Sequence, residues 1–231
     1  MQDLYLDKLQ QNYTFVNVIR LANNMGPGAA RNVGINHATA KYIAIMDSDD
    51  IALPHRLKRQ YDYLEEHDDI AVVGGFCDVI DDDGAITGTR KLPLSPESLR
   101  FYSLFFCPLN NPTVMGRSEV FKSYMYDEKL RQGEDYRLWV RLLKDKYSIA
   151  NISDVLIKFR VSADLYKRRA GFSKGMSDIV NRLYAIQISP VYLMPFVLIF
   201  AIGSFGVRFL PVGAIRLLTT NIERLRARLI N

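Results

Sequence analysis

Lys41-Tyr42-Ile43-Ala44-Ile45-Met46-Asp47-Ser48-Asp49-Asp50 carries an apolar run straight into three carboxylates. The segment from Tyr42 to Met46 has the length and β-branched content of a buried strand. A strand that delivers acids at its carboxyl end places them where an open α/β sheet forms its ligand crevice. Alternate side chains of an extended chain lean to the same side, so Asp47 and Asp49 can share one hard cation that also grips phosphates. The alternative is a polar loop that leads into the next helix, with Asp50 as its N-cap near Ala52-Leu53-Pro54.

Upstream of this stretch, residues 1–12 read as a short helix and Phe15 to Leu21 as a strand. Asn23-Asn24-Met25-Gly26-Pro27-Gly28 is a glycine-rich turn that opens a helix over Ala29 to Ala38. Downstream, the spacing predicts a helix over Arg56 to Glu66 carrying Leu57, Tyr61 and Leu64 on one face. Ala71 to Ile80 is a strand, and Asp81-Asp82-Asp83-Gly84 reads as a hairpin turn into Ala85 to Arg90 rather than a metal site. Ser95 and Pro96 open a helix, Asn110 to Met115 enters a strand, and Ser118 caps a helix over Glu119 to Tyr124. Glu134 and Asp135 then precede Tyr136 to Lys144, where Leu138, Trp139, Leu142 and Leu143 form a core-facing helical stripe. Acids at a helix start are either dipole partners or chemistry, and spacing alone does not separate the two. Tyr147 to Ile157 is a strand. The alternation of strands and helices, with a hairpin inside it, argues an α/β fold built on a mixed sheet.

Several of these stretches together resemble one known family. Asn24-Met25-Gly26-Pro27-Gly28-Ala29-Ala30-Arg31-Asn32-Val33-Gly34-Ile35, then Ile43 to Asp50, is similar to the family 2 glycosyltransferases of the GT-A fold. Asn111-Pro112-Thr113, Gly133-Glu134-Asp135-Tyr136-Arg137-Leu138-Trp139 and Phe159-Arg160-Val161-Ser162 follow in matching order. The resemblance covers about residues 10 to 170. It implies an inverting, metal-dependent transferase in which Asp47, Asp49 and Asp50 hold a divalent metal, Mg²⁺ or Mn²⁺. Gly26, Arg31, Asn32, Asp47 and Arg160 would line the nucleotide-sugar cleft, and Asp135, with Glu134 beside it, would be the catalytic base. The chemistry is coherent: a sugar hydroxyl needs a carboxylate to take its proton, and a leaving nucleoside diphosphate needs charge neutralisation. Members of the family begin with an apolar strand, a helix and a second strand that bind the nucleobase. This sequence starts at what would be the following helix, so an N-terminally incomplete GT-A sheet is expected, with a separate polypeptide as one source of the missing part. Ser162 also departs from the pattern, since many members carry His there. Tyr166-Lys167-Arg168-Arg169-Ala170-Gly171 is similar to members of the amylovoran-synthesis type, which implies a glycan or lipid-linked acceptor in exopolysaccharide or cell-envelope synthesis.

Composition frames the rest. The 231 residues suffice for one domain plus an appendage, and 48% apolar with 24% charged residues is ordinary for a globular protein. Cys77 and Cys107 show no metal-knuckle or CxxC spacing, so a reducing compartment is the simplest reading. Met1 to Tyr5 lacks the basic and apolar regions of a signal peptide. The net charge of +5 is uneven, with 12 basic against 3 acidic residues from Lys158 onward. Residues 1–165 are therefore expected as the catalytic domain and residues 166–231 as a basic, apolar, helical tail. Leu183 to Val207 is 25 residues without a formal charge, followed by Arg208, Arg216, Arg224, Arg226 and Arg228 among apolar neighbours. That pattern favours a membrane surface over nucleic acid, at the cytoplasmic face of the cell membrane. A spanning helix, an in-plane anchor and a helical hairpin packed on the body all fit it. Two other function classes stay open beside the transferase. One is a non-catalytic module that binds a membrane or partner; the other is a nucleotidyltransferase-like enzyme, which the Gly133-Glu134-Asp135-Tyr136 signature disfavours.

Overall fold

The computed structural model describes residues 2–161 and 171–211, with 213–214 and 217–218. In chain order its elements are α1 (Gln2–Asn12), α2 (Pro27–His37), β1 (Tyr42–Ala44), β2 (Ile51–Ala52), α3 (Arg56–Glu66), β3 (Ile70–Ile80) and β4 (Ile86–Arg90). There follow α4 (Pro96–Tyr102), β5 (Met115–Arg117), α5 (Ser118–Tyr124), α6 (Glu134–Lys144), β6 (Ser148–Arg160), α7 (Phe172–Ala185) and α8 (Met194–Val207).

The six strands form one sheet in the order β1-β5-β3-β6-β2, with β4 pairing the second half of β3. β3 and β6 run parallel and the remaining described pairs are antiparallel, so the expected mixed sheet with an internal hairpin is the one that forms. Period-two alternation splits the core between the two faces of the sheet. Val72 and Ile149 enter a large cluster with Leu138, Trp139, Leu142 and Leu143, while Val73 and Ala150 enter a smaller one with Leu64. Among the described residues β1 pairs with β5 and with no other strand.

Phe15 to Leu21, expected as a strand, is irregular chain instead. Phe15, Ile19 and Leu21 are exposed, and no described residue from Tyr5 to Pro27 is buried. An apolar β-branched run becomes a strand only where a partner edge accepts its ladder, and this segment folds back along α1, where Val18 N donates to Gln10 Oε1 at 2.7 Å. The helix read from Glu119 begins at Ser118 itself, whose hydroxyl donates to the carbonyl of Ala40.

α3 has the predicted limits, but Leu57 and Tyr61 are exposed while Arg56, Gln60 and Leu64 are buried. Gln60 Nε2 donates to the carbonyls of Val73 (3.0 Å) and Thr113 (2.8 Å), and Arg56 Nη2 donates to that of Ile45 (2.6 Å). At the other end Arg117 Nη2 donates to the carbonyls of Leu64 (2.9 Å) and His67 (3.1 Å). Each buried carbonyl left unpaired costs about 1–3 kcal/mol, so two donors on one helical face outweigh the burial of Leu57 and Tyr61 there.

The uncharged run from Leu183 to Val207 does not form a single helix. It is divided among the end of α7, two 3₁₀ turns at Ile186–Ile188 and Val191–Leu193, and the 14-residue α8. Pro190, with no N–H to donate, stands between the two turns. Among the described residues no helix is long and apolar enough to cross a membrane. The spanning arrangement is therefore replaced by a helical pair packed on the body. Ala185, Ile188 and Val197 join the large core cluster, and Arg208 Nε holds Asp178 Oδ2 at 2.8 Å across the pair. Phe200 of α8 meets the rings of Phe105 and Phe106 edge-on at 5.4 and 5.1 Å. Ser162, Tyr166 to Ala170, Arg216, Arg224, Arg226 and Arg228 lie outside the described residues.

Candidate active site

The site begins at the amino end of α2. Gly26 precedes it at φ 91°, a conformation that L side chains rarely adopt, and Pro27 starts the helix with the fixed φ that position favours. One turn on, Arg31 projects between two acidic segments. Its Nη2 meets Asp47 Oδ1 at 2.8 Å and its Nη1 meets Glu134 Oε1 at 2.8 Å. The acids at the end of β1 and those at the start of α6, far apart in sequence, are thus held by one planar guanidinium suited to gripping two carboxylates. The guanidinium also lies 5.4 Å from the ring centroid of Tyr126, whose hydroxyl donates to Asn111 Oδ1 at 2.8 Å.

Burial works against the Arg31 cation, but the hydrogen bond and charge of Asp47, with Tyr126 and Glu134, outweigh it and raise its pKa. Glu134 is 7% exposed, and its carboxyl is raised first by burial and then by the charge of Asp135, against the pull of Arg31. Asp135 is less buried, and its Oδ1 accepts from Tyr136 N at 2.7 Å. Cys107 Sγ stands 3.9 Å from Asp135 Oδ2.

The three acids after β1 do not converge. Asp49 is exposed, Asp47 is partly buried against Arg31, and Asp50 is 8% exposed and turned inward. Asp50 Oδ1 accepts from Arg160 N at 2.9 Å, while its Oδ2 has no hydrogen-bond partner among the described residues. Burial drives this carboxyl up to about 6, opposed by the Arg160 N–H and reinforced by the charges of Asp49 and Asp47. Asp50 is therefore neither a member of an acid triplet nor an N-cap, since α3 starts at Arg56 behind His55. Among the described residues no group of three His, Cys, Asp or Glu is placed to hold a metal ion. Asp47 and Asp49 remain as a pair of hard oxygen donors, with Arg31 on only Oδ1 of Asp47, and a pair fits a divalent cation whose other ligands are phosphates and water.

Two expected cleft residues are occupied within the protein. Asn32 is 3% exposed; its Nδ2 donates to the Tyr126 carbonyl (2.9 Å) and Glu128 Oε1 (2.9 Å), and its Oδ1 accepts from Tyr126 N (2.8 Å). Arg160 donates from Nε to the Asp49 carbonyl (3.2 Å) and from Nη1 to the carbonyls of Asp81 (2.8 Å) and Asp82 (3.0 Å). It staples the end of β6 to the acidic turn and to the β3–β4 hairpin. Tyr126, Glu128 and Cys107 were not legible as site residues, because what marks them is contact with residues distant in sequence.

The model of the family described as "Glycosyl transferase family 2" matches residues 4–128. The chain belongs to glycosyl transferase family 2. Its family-matched region includes α2, the acids after β1 and Tyr126, and ends before Glu134. An uncharacterised glycosyltransferase of Methanocaldococcus jannaschii is 35% identical over 161 residues, covering 68% of this chain and 54% of its own. The amylovoran biosynthesis glycosyltransferase AmsE of Erwinia amylovora is 31% identical over 173 residues, covering 74% of this chain and 64% of its own. The chain thus spans less than two thirds of the length of these two relatives. The crystal structure of S. aureus TarS 1-349 in complex with UDP-GlcNAc superposes with a TM-score of 0.57 at 17% identity, over 91% of this chain and 69% of that one, a likeness of fold.

Proposed function

We propose that this family 2 protein transfers a sugar, with inversion, from a nucleotide-sugar donor to a glycan or lipid-linked acceptor in exopolysaccharide or cell-envelope synthesis. The observation that carries this reading is the double grip of Arg31 on Asp47 and Glu134, which joins a phosphate-side acid pair to a base-side acid pair. Asp135 takes the proton of the acceptor hydroxyl as that oxygen attacks the anomeric carbon from the face opposite the leaving diphosphate. Asp135 suits the role better than Glu134, which Arg31 and burial already commit. Asp47 and Asp49 would hold the divalent cation, Mg²⁺ or Mn²⁺, which when bound neutralises the departing diphosphate. Arg31 adds a fixed positive charge beside the same phosphates.

The acceptor class is supported by the 31% identity to a glycosyltransferase of amylovoran biosynthesis. A peripheral place on the cytoplasmic membrane face is supported by α8 and the turn before it, where Val191, Tyr192, Phe196, Ile199 and Ile202 are each more than 60% exposed. The edge of β1 that no described strand pairs is where a further strand, from the same protein or a separate polypeptide, would extend the sheet.

The test is transfer from a panel of nucleotide sugars to lipid-linked and glycan acceptors, with the anomeric configuration of the product read by NMR. Inverted product is expected, and Asp135→Asn should lower turnover by about 10²- to 10⁴-fold with donor affinity kept. Retained configuration, or a fully active Asp135→Asn protein, would refute the assignment.

A further inference from the structure

α7 lies outside the family-matched region, yet it reaches the turn that presents the proposed base. Gly133 caps α6 at φ 73°, and a Cβ added there would stand 2.4 Å from Asn181 Nδ2. Asn181, on α7, is 2% exposed. Its Nδ2 donates to the Gly133 carbonyl at 3.2 Å, and its Oδ1 accepts from Arg137 Nε at 2.9 Å. The Gly133 carbonyl also accepts from Arg137 N at 3.0 Å, which closes a ring of hydrogen bonds around the first turn of α6. Asp135 lies within that turn. The Arg137 guanidinium is further held over the Tyr184 ring, 4.1 Å from its centroid. One turn earlier on α7, Ser177 Oγ donates to the Gln132 carbonyl at 2.6 Å.

We infer that Asn181, supported by Ser177, is a positioning residue for catalysis, acting through the Gln132–Gly133 turn on the Asp135 carboxylate. The inference rests on Asp135 being the base. A glycine at positive φ is the most pliant kind of helix start, so the orientation of Asp135 depends on what pins its carbonyl and its first turn. Here both are pinned by a single side-chain amide from another helix. The amide uses its donor on Gly133 and its acceptor on Arg137, so the two bonds are separable by chemistry.

Asn181→Asp keeps an acceptor for Arg137 and sets a second oxygen against the Gly133 carbonyl. Ser177→Ala removes one bond and leaves the ring intact. Amide hydrogen exchange and steady-state transfer, measured on the full chain, distinguish a positioning role from a general loss of fold. In Asn181→Asp, exchange over residues 132–137 should quicken while β3 keeps its protection, and kcat should fall by roughly 10- to 100-fold with the donor KM little changed. Ser177→Ala should move both readouts the same way by a smaller factor, and it serves alone if Asn181→Asp does not fold. Unchanged exchange over 132–137 in both variants overturns the inference, as does quickened exchange with kcat intact. If the native chain transfers no sugar, that counts against the proposed function, and the exchange data still decide whether α7 holds this turn.

Discussion

Replacing Arg31 with Met removes the cation that two carboxylates share and leaves a side chain of similar length. The Glu134 side chain is 9% exposed and that of Asp47 34%, so the two losses are unequal. Stripping a buried carboxylate of its partner costs about 3–5 kcal/mol, while the more solvated Asp47 contact adds about 0–1 kcal/mol. A loss of about 3–6 kcal/mol is expected at pH 7, which lowers Tm by roughly 6–24 °C in a chain of this size. The pH dependence carries a sign. The folded Glu134 carboxyl is already raised above its ordinary value of 4.5, and removing Arg31 raises it further. The folded form then favours the proton, so the stability lost to the substitution is least below about pH 4.5 and grows as pH rises through the folded pKa. Thermal unfolding at pH 4 and pH 7 reads both quantities. Arg31→Lys, whose single ammonium reaches one carboxylate, should fall between the two proteins. An Arg31→Met protein within 0.5 kcal/mol of the native one at pH 7 would refute the reasoning, using the usual spread of neutral surface substitutions as the yardstick. A deficit equal at both pH values would refute it as well.

Asp49→Ala should abolish the Mg²⁺- or Mn²⁺-dependent part of nucleoside diphosphate binding, and calorimetry that finds equal affinity with and without metal in both proteins would remove Asp49 from the cation site. Gln60→Leu orphans the carbonyls of Val73 and Thr113 and should cost about 2–4 kcal/mol, read as a lowered urea midpoint with the slope kept. Paired substitution of Phe196 and Ile199 by Ser should weaken flotation with vesicles containing anionic lipid while leaving Tm nearly unchanged, since both side chains are exposed; undiminished flotation would move the contact elsewhere.

Much of the framework was legible because it is written in local periods. α3 and β3 lie where the spacing puts them, and the apolar stripe of α6 is buried as read. The acids after β1 stand out for an equally local reason, being an abrupt change at the end of a continuous apolar run. What escaped reading depends on distant partners. Phe15 to Leu21 has strand composition and no ladder to join. Spacing gathers Leu57, Tyr61 and Leu64 on one face of α3, whereas the face that packs inward is chosen by the need for donors to carbonyls contributed by residues 45, 73 and 113. Arg31 was legible as a charge suited to phosphate, but its pairing with Glu134, 103 positions away, leaves no trace in spacing. Asn181 was hidden because its stretch reads as an appendage, and only packing reveals that an amide there meets the Gly133 carbonyl.

The dependence of α3 on Arg117, Thr113 and Val114 also sets an order of events during synthesis. The helix is complete by Glu66, and its buried donors reach the carbonyls of Ile45 and Val73, yet its carboxyl-end carbonyls and the further bonds of Gln60 and Arg56 find partners only at residues 113–117. At 5–20 residues per second the ribosome takes roughly 3 to 10 seconds to add the intervening 50 or so residues. During that interval the guanidinium and amide on the inner face of α3 are only partly bonded and the carbonyls at its carboxyl end lack Arg117, with the apolar length of β3 emerging behind it. Chaperone contact on the nascent chain should therefore peak between the emergence of β3 and that of β5, and fall once Arg117 clears the exit tunnel.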